Sequence, residues 1–181
     1  MRSNNKGFTL IELIVGMAVM GILTVMLLYV FTAGRNSYQT LNDSSKAENE
    51  ARIAMSYLTT QIRQNDAVTT SGGGIDVHNV KVIPARSLIP VHLQVTDGTD
   101  VRHIYAVASG SACELRESAS ESWYTDNAAS VIAEGLYRVT FTTRGAISGN
   151  TVVGIAIEYR SGRNSDIKKL EESITLRAEE N

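Results

Sequence analysis

Glu12 is the one charged residue between Lys6 and Arg35. An ionised carboxylate in a hydrocarbon core is expensive, and such groups are usually paired or functional. Near a helix start the cost falls, because the side chain can snorkel and the helix N-terminus favours a negative charge. The chemistry open to Glu12 is therefore either a stabilised carboxylate at an interface or an ion pair formed in a low-dielectric setting. In the second case pairing offsets much of the cost that each charge would bear alone. Arg2 and Lys6 precede this run, and Gly7 stands directly before Phe8.

Other reactive residues are scattered. His78, His92 and His103 raise the question of a metal. A His92–His103 cross-strand pair would supply two ligands, but a zinc site takes at least three from protein, and no cysteine or clustered acid completes it. Asp97-Gly98-Thr99-Asp100 has too few ligands for a calcium loop and reads as a turn. Ser71-Gly72-Gly73-Gly74 lacks the Gly-Lys-Ser/Thr ending of a phosphate loop, and no Gly-x-Ser-x-Gly elbow is present. Cys113 is the sole cysteine; it cannot form a disulfide within the chain and has no evident base, so it reads as a small buried hydrophobe. Trp123 and Tyr124 read as a loop anchor, with a carbohydrate platform as the sharper alternative. No catalytic set, cofactor or metal is expected. A formal net charge of -2 and a sequence pI of about 5.9 leave no basic excess for nucleic acid.

These residues need elements to position them. From Leu13 to Gly34 there are 22 residues without a charge. As a helix they would span about 33 Å, enough for the ~30 Å hydrocarbon core. With Arg2 and Lys6 before it and no acid ahead of Glu12, the positive-inside tendency keeps the N-terminus cytoplasmic and sends the rest outward. The apolar run exceeds the 7–15 residues of a secretory signal core, and no A-x-A-like cleavage site follows it. An uncleaved anchor is the plain alternative.

Past Arg35 the pattern turns polar but stays helical. Leu41, Ser45, Glu48, Ala51, Met55, Leu58 and Ile62 recur at steps of three and four, predicting an amphipathic face that packs on the chain's own sheet. The helix should end at Asn65-Asp66, before the glycines. It would then be about 87 Å long, so its first half would protrude from a small domain. After Gly74 the period becomes two. Val91–Val95 and Val101–Ala108 read as a hairpin, with Leu93 opposite Ile104 if the turn has four residues and His92 opposite His103 if Asp97-Gly98 alone makes it. Leu136–Phe141, Val152–Tyr159 and Glu172–Arg177 read as further strands, the last after a Ser161–Asp166 loop. Val153, Ile155, Ile157 and Tyr159 share one face. The class is α+β: one long N-terminal helix, its first half transmembrane, packed on an antiparallel β-sheet.

The stretch Lys6-Gly7-Phe8-Thr9-Leu10-Ile11-Glu12-Leu13 resembles the class III signal of type IV prepilins and type II secretion pseudopilins. The resemblance covers about the first 30 residues. It implies cleavage between Gly7 and Phe8 by a prepilin peptidase, N-methylation of Phe8, and leader charges at Arg2 and Lys6 that hold the cut site at the cytoplasmic face. It implies that Glu12 pairs with the freed ammonium of a neighbouring subunit and so sets register in a fibre. Many pilins carry a mid-helix proline near the place of Tyr29; this chain has none, so no proline-centred break is predicted.

The expected layout is a leader over 1–7, an assembly helix over 8–34, its amphipathic continuation over 35–66 and an extracytoplasmic β-rich domain over 67–181. The hairpin with Ile104-Tyr105, the Cys113-Glu114-Leu115-Arg116 strand, the Ile132-Ala133-Glu134-Gly135 turn and the ending Ile174-Thr175-Leu176-Arg177 look like the minor pilins and pseudopilins of the PilW and GspJ type. Such subunits sit at a fibre tip and prime assembly. The implied partners are other pilin subunits, the peptidase, an inner-membrane assembly platform and the lipid membrane. Adhesive pilus, secretion and DNA-uptake machines all remain open. The rival reading is an uncleaved single-span protein with an extracytoplasmic sensor or binding domain.

Overall fold

The structure is a computed structural model that describes residues 9–66, 68–71, 75–86, 90–120, 122–125, 128–145, 151–161 and 166–177, with the backbone alone for 68–71 and 75–78. Arg2, Lys6, Gly7 and Phe8 lie outside the described residues. The chain forms two compact units, Met1–Asn42 and Asp43–Asn181.

One helix, α1, runs Leu10–Gln64. No proline interrupts it, as its composition predicts. In the first unit every described residue but Thr40 is exposed. Its apolar side chains stay uncovered from Leu10 to Phe31.

In the second unit the helix turns one apolar stripe inward. Ala51, Ala54, Met55, Leu58 and Ile62 are buried at helical spacing. The stripe is not quite the predicted one. Leu41 is 68% exposed and Ser45 is exposed, whereas Ala54 is fully buried and Ala47 packs on the core. The small alanines let the backbone approach the sheet; Ala51 is in the predicted stripe, whereas Ala47 and Ala54 are not.

Ten strands follow among the described residues: β1 Val68–Ser71, β2 Ile75–His78, β3 Val80–Ile83, β4 His92–Asp97, β5 Asp100–Ser109, β6 Ala112–Ser118, β7 Ser130–Leu136, β8 Arg138–Gly145, β9 Thr151–Ser161 and β10 Asp166–Thr175. They make a β1–β2 hairpin, a five-stranded sheet ordered β3-β4-β5-β6-β7, and a three-stranded sheet ordered β10-β9-β8. All pairs are antiparallel. The α+β class is therefore as expected, with two principal sheets in place of one.

In the β4–β5 hairpin Leu93 faces Ile104 and Asp97 faces Asp100. Gly98 takes φ 61 in the tight turn, a value glycine adopts without strain. His92 consequently faces Tyr105, not His103.

Three further expectations need correction. Leu136–Phe141 is not one strand: Leu136 ends β7, Tyr137 is a bend, and Arg138 opens β8 in the other sheet. Ile132-Ala133-Glu134-Gly135 is not a turn but lies within β7. There the register with β6 slips twice, from Cys113–Leu136 to Leu115–Ala133 and then to Arg116–Val131. Gly135, at φ 67, sits in the first bulge. The Glu134 amide donates to Glu50 Oε2 at 3.3 Å, so the helix receives a donor at the irregular stretch. Finally, β10 begins at Asp166, six residues before the predicted strand, and carries Ile167-Lys168-Lys169-Leu170-Glu171 as well. These residues are mostly exposed, which hides the alternation that strand prediction relies on.

The core lies between the helix stripe and both sheets. Leu93, Val95, Ile104 and Leu115 come from the larger sheet, and Phe141, Val153, Ile155, Ile157 and Tyr159 from the smaller. Asp66, just past the helix, accepts the Arg177 amide on both carboxylate oxygens, at 2.9 and 3.1 Å. That bond ties the end of the helix to the residues that follow β10.

Candidate functional site

The described part of the signal region begins with Thr9 and α1. The Thr9 amide donates to Glu12 Oε2 at 3.0 Å, and the Thr9 hydroxyl donates to the same oxygen at 2.9 Å. In return the Glu12 amide meets Thr9 Oγ1 at 3.3 Å. This is a capping box. A threonine at the helix cap and a glutamate three residues on satisfy each other's amides, which the helix cannot bond internally. The local signal was Thr-x-x-Glu; read only as part of a longer motif, Thr9 receives no role of its own. The geometry means that Glu12 is aimed back along the helix towards its start, and does not project sideways into the apolar surface.

Behind it the helix is long and apolar enough to cross a membrane, and the apolar window is wholly exposed. Along the apolar stretch the hydroxyls of Thr24 and Thr32 donate to the carbonyls of Met20 and Leu28 in the preceding turn. Their polarity is thereby absorbed by the backbone.

In the second unit, His92 and His103 come close even though they are not paired across the strands. Their ring centroids are 5.2 Å apart. Both rings lie against Trp123, at 4.2 and 5.1 Å. Trp123 is 5% exposed and belongs to a short helical turn, Trp123–Thr125. It anchors a loop. Of His78 only the backbone is described, in β2. Among the described residues no three of His, Cys, Asp and Glu gather in a way that could hold a metal.

Cys113 is buried and free. Burial pushes its thiol above the ordinary range, and the neighbouring Glu114 carboxylate adds to the shift against the Val139 backbone contact. A thiol held neutral in this way is a poor nucleophile.

One polar cluster has no evident sequence signal. The Tyr57 hydroxyl donates to Glu117 Oε2, and Arg102 meets the other Glu117 oxygen at 3.4 Å. Burial, then the bond to Glu117, raises the Tyr57 hydroxyl well above its usual value. The cluster joins the helix to β5 and β6. It can orient these elements, but it contains no nucleophile poised beside a base.

The geometry thus concentrates on a capped carboxylate heading an exposed apolar helix. No curated protein and no solved structure matches the chain. Residues 2–28 match the family model of the prokaryotic N-terminal methylation motif. The chain therefore carries a type IV prepilin-like class III signal, the mark of structural subunits that prepilin peptidase processes and that assemble with other pilins.

Proposed function

We propose that this chain is a minor pilin or pseudopilin, a structural subunit of a type IV pilus or a related secretion or competence filament, acting in a tip or assembly-priming complex. The observation that carries the reading is the order of parts: the methylation motif over residues 2–28 leads into a capped glutamate and an exposed membrane-length helix.

In this reading the peptidase cuts between Gly7 and Phe8 and the new amine of Phe8 is methylated. Arg2 and Lys6 keep the leader on the cytoplasmic face, while the β-rich domain lies outside. Before assembly, Thr9 satisfies Glu12 and keeps the carboxylate hydrogen-bonded at the helix start. During assembly the ammonium of a neighbouring Phe8 pairs with that carboxylate. Both Thr9 bonds fall on Oε2, so Oε1 is the oxygen that would receive the ammonium. The capping box pre-orients the acid, which lowers the ordering cost of forming the pair. Partners are other pilin subunits, the peptidase, an inner-membrane assembly platform and the bilayer.

The test replaces Glu12. Glu12→Leu and Glu12→Gln should leave membrane abundance at the parent level while recovery of the subunit in sheared filaments falls by tenfold or more. Normal incorporation of both variants would refute the role given to this acid.

A further inference from the structure

The inner face of the five-stranded sheet packs on the helix through Leu93, Val95, Ile104 and Leu115. Strand alternation assigns His92, His103 and Tyr105 to the opposite face. In a two-layer fold that face would ordinarily be wet. Here His92 is 3% exposed and Tyr105 is buried, because the turn Ser122–Thr125 lays Trp123 over them. The result is a second, small aromatic core outside the main one.

Several contacts of the described residues hold this turn. The Tyr105 hydroxyl donates to the Trp123 carbonyl at 2.6 Å. The Ser120 amide donates to Ser118 Oγ at 3.1 Å and the Ser122 amide to Ser120 Oγ at 3.3 Å, bonds that shape the approach. Ring contacts add to this hold. Trp123 packs on His92, stacks on His103 with an interplanar angle of 12°, and meets Tyr105 at 4.7 Å.

We propose that His92, His103 and Trp123 form a pH-released latch: neutral imidazoles hold the Ser122–Thr125 turn on the sheet, and their joint protonation frees it. His92 Nδ1–H donates to the Pro90 carbonyl at 3.2 Å, which leaves Nε2 to take the incoming proton. His103 Nδ1 is buried with no hydrogen-bond partner, so a proton there would create a charged donor without an acceptor. One imidazolium is welcome on an indole face. Two of them 5.2 Å apart repel one another.

Among the described residues, the charges that β3 and β6 set on this face offer the pair no free carboxylate. On this face β3 presents the exposed Lys81, and β6 presents Arg116, opposite Tyr105. Glu114, the carboxylate that β6 adds here, is bonded to Arg116 at 2.7 Å. Tyr124 stands edge-on to Trp123. Burial lowers both imidazoles below the ordinary value of 6.5, and His92 lowers His103 further. The closed latch thus binds fewer protons than the open one. It is held fully above about pH 6.5 and weakens as pH falls below that.

Trp123 is the only tryptophan in the chain, so its fluorescence reports this site alone. The full chain in detergent micelles is examined from about pH 8 to about pH 4.5, by acrylamide quenching and by circular dichroism. Quenching of Trp123 should rise at least threefold on acidification, reversibly and without loss of secondary structure. H103Q, which leaves a single imidazole, should abolish the rise. Flat quenching, a rise that coincides with unfolding, or an unchanged rise in H103Q would each overturn the proposal. NMR titration of the parent's imidazole C–H signals tests it without a variant: both rings must titrate below 6.5, and a midpoint at or above that value for either ring contradicts the latch.

Discussion

A glutamate at the head of an apolar helix is costly unless something receives it, and Thr9 supplies the first half of the answer. Its amide and hydroxyl both bond to Glu12. The type and place of this acid were plain from the residues alone, since no other charge lies between Lys6 and Arg35. The cap was less visible, because Thr-x-x-Glu is short and common. Of the His92, His103 and Trp123 cluster, the residues suggested a histidine pair and a loop anchor but not that the two meet. Their meeting needs a hairpin register that the turn residues left undecided, and a turn that folds back over the outer face of a sheet. Cys113 allows a test at this scale. Its thiol is buried and held above its ordinary value by that burial. A maleimide should label it at least about tenfold more slowly in the native protein than in denaturant. The fold favours the neutral thiol, so this group's contribution to stability is complete below pH 9.0 and is lost as pH rises through the folded thiol's value. Prompt native labelling would contradict the burial.

Elements were legible where one face is apolar and the other is not. Strand β9 declared itself through Val153, Ile155, Ile157 and Tyr159, all now buried. The first half of β10 did not, because exposed Lys168, Lys169 and Glu171 blur its alternation; such charges suit an edge strand. The seam of the helix was placed correctly from Ala51 to Ile62 but carried too far towards Leu41, and it missed Ala47 and Ala54. Leu58, fully buried, and Leu41, 68% exposed, separate the two descriptions. Leu58→Ala should cost about 3 kcal/mol in urea unfolding of the detergent-solubilised chain. Leu41→Ala should stay within about 0.5 kcal/mol of the parent. Equal costs would return Leu41 to the seam. Between β8 and β9, a Cβ added at Gly154 would lie 2.5 Å from Thr142 Oγ1. Gly154→Ala should therefore destabilise by about 1–2 kcal/mol. Adding Thr142→Ala to it should recover most of the loss, a coupling that independent sites would not show.

At the scale of the whole molecule two demands meet in one chain. The unit through Asn42 leaves its apolar helix uncovered, whereas the unit from Asp43 buries a helix stripe between two sheets. An apolar surface as extensive as that of Leu10–Phe31 does not persist in water; it belongs in a bilayer or against like helices. The methylation motif over residues 2–28 says how such a helix would be released from its leader. Processing is therefore the claim on which the assembly role depends. The most direct measurement is intact-mass spectrometry of the protein extracted from membranes of a host with active prepilin peptidase. The account predicts a chain that begins at Phe8 and carries one added methyl group on its amine. A full-length, unmethylated chain that still bears Arg2, Lys6 and Gly7 would contradict it.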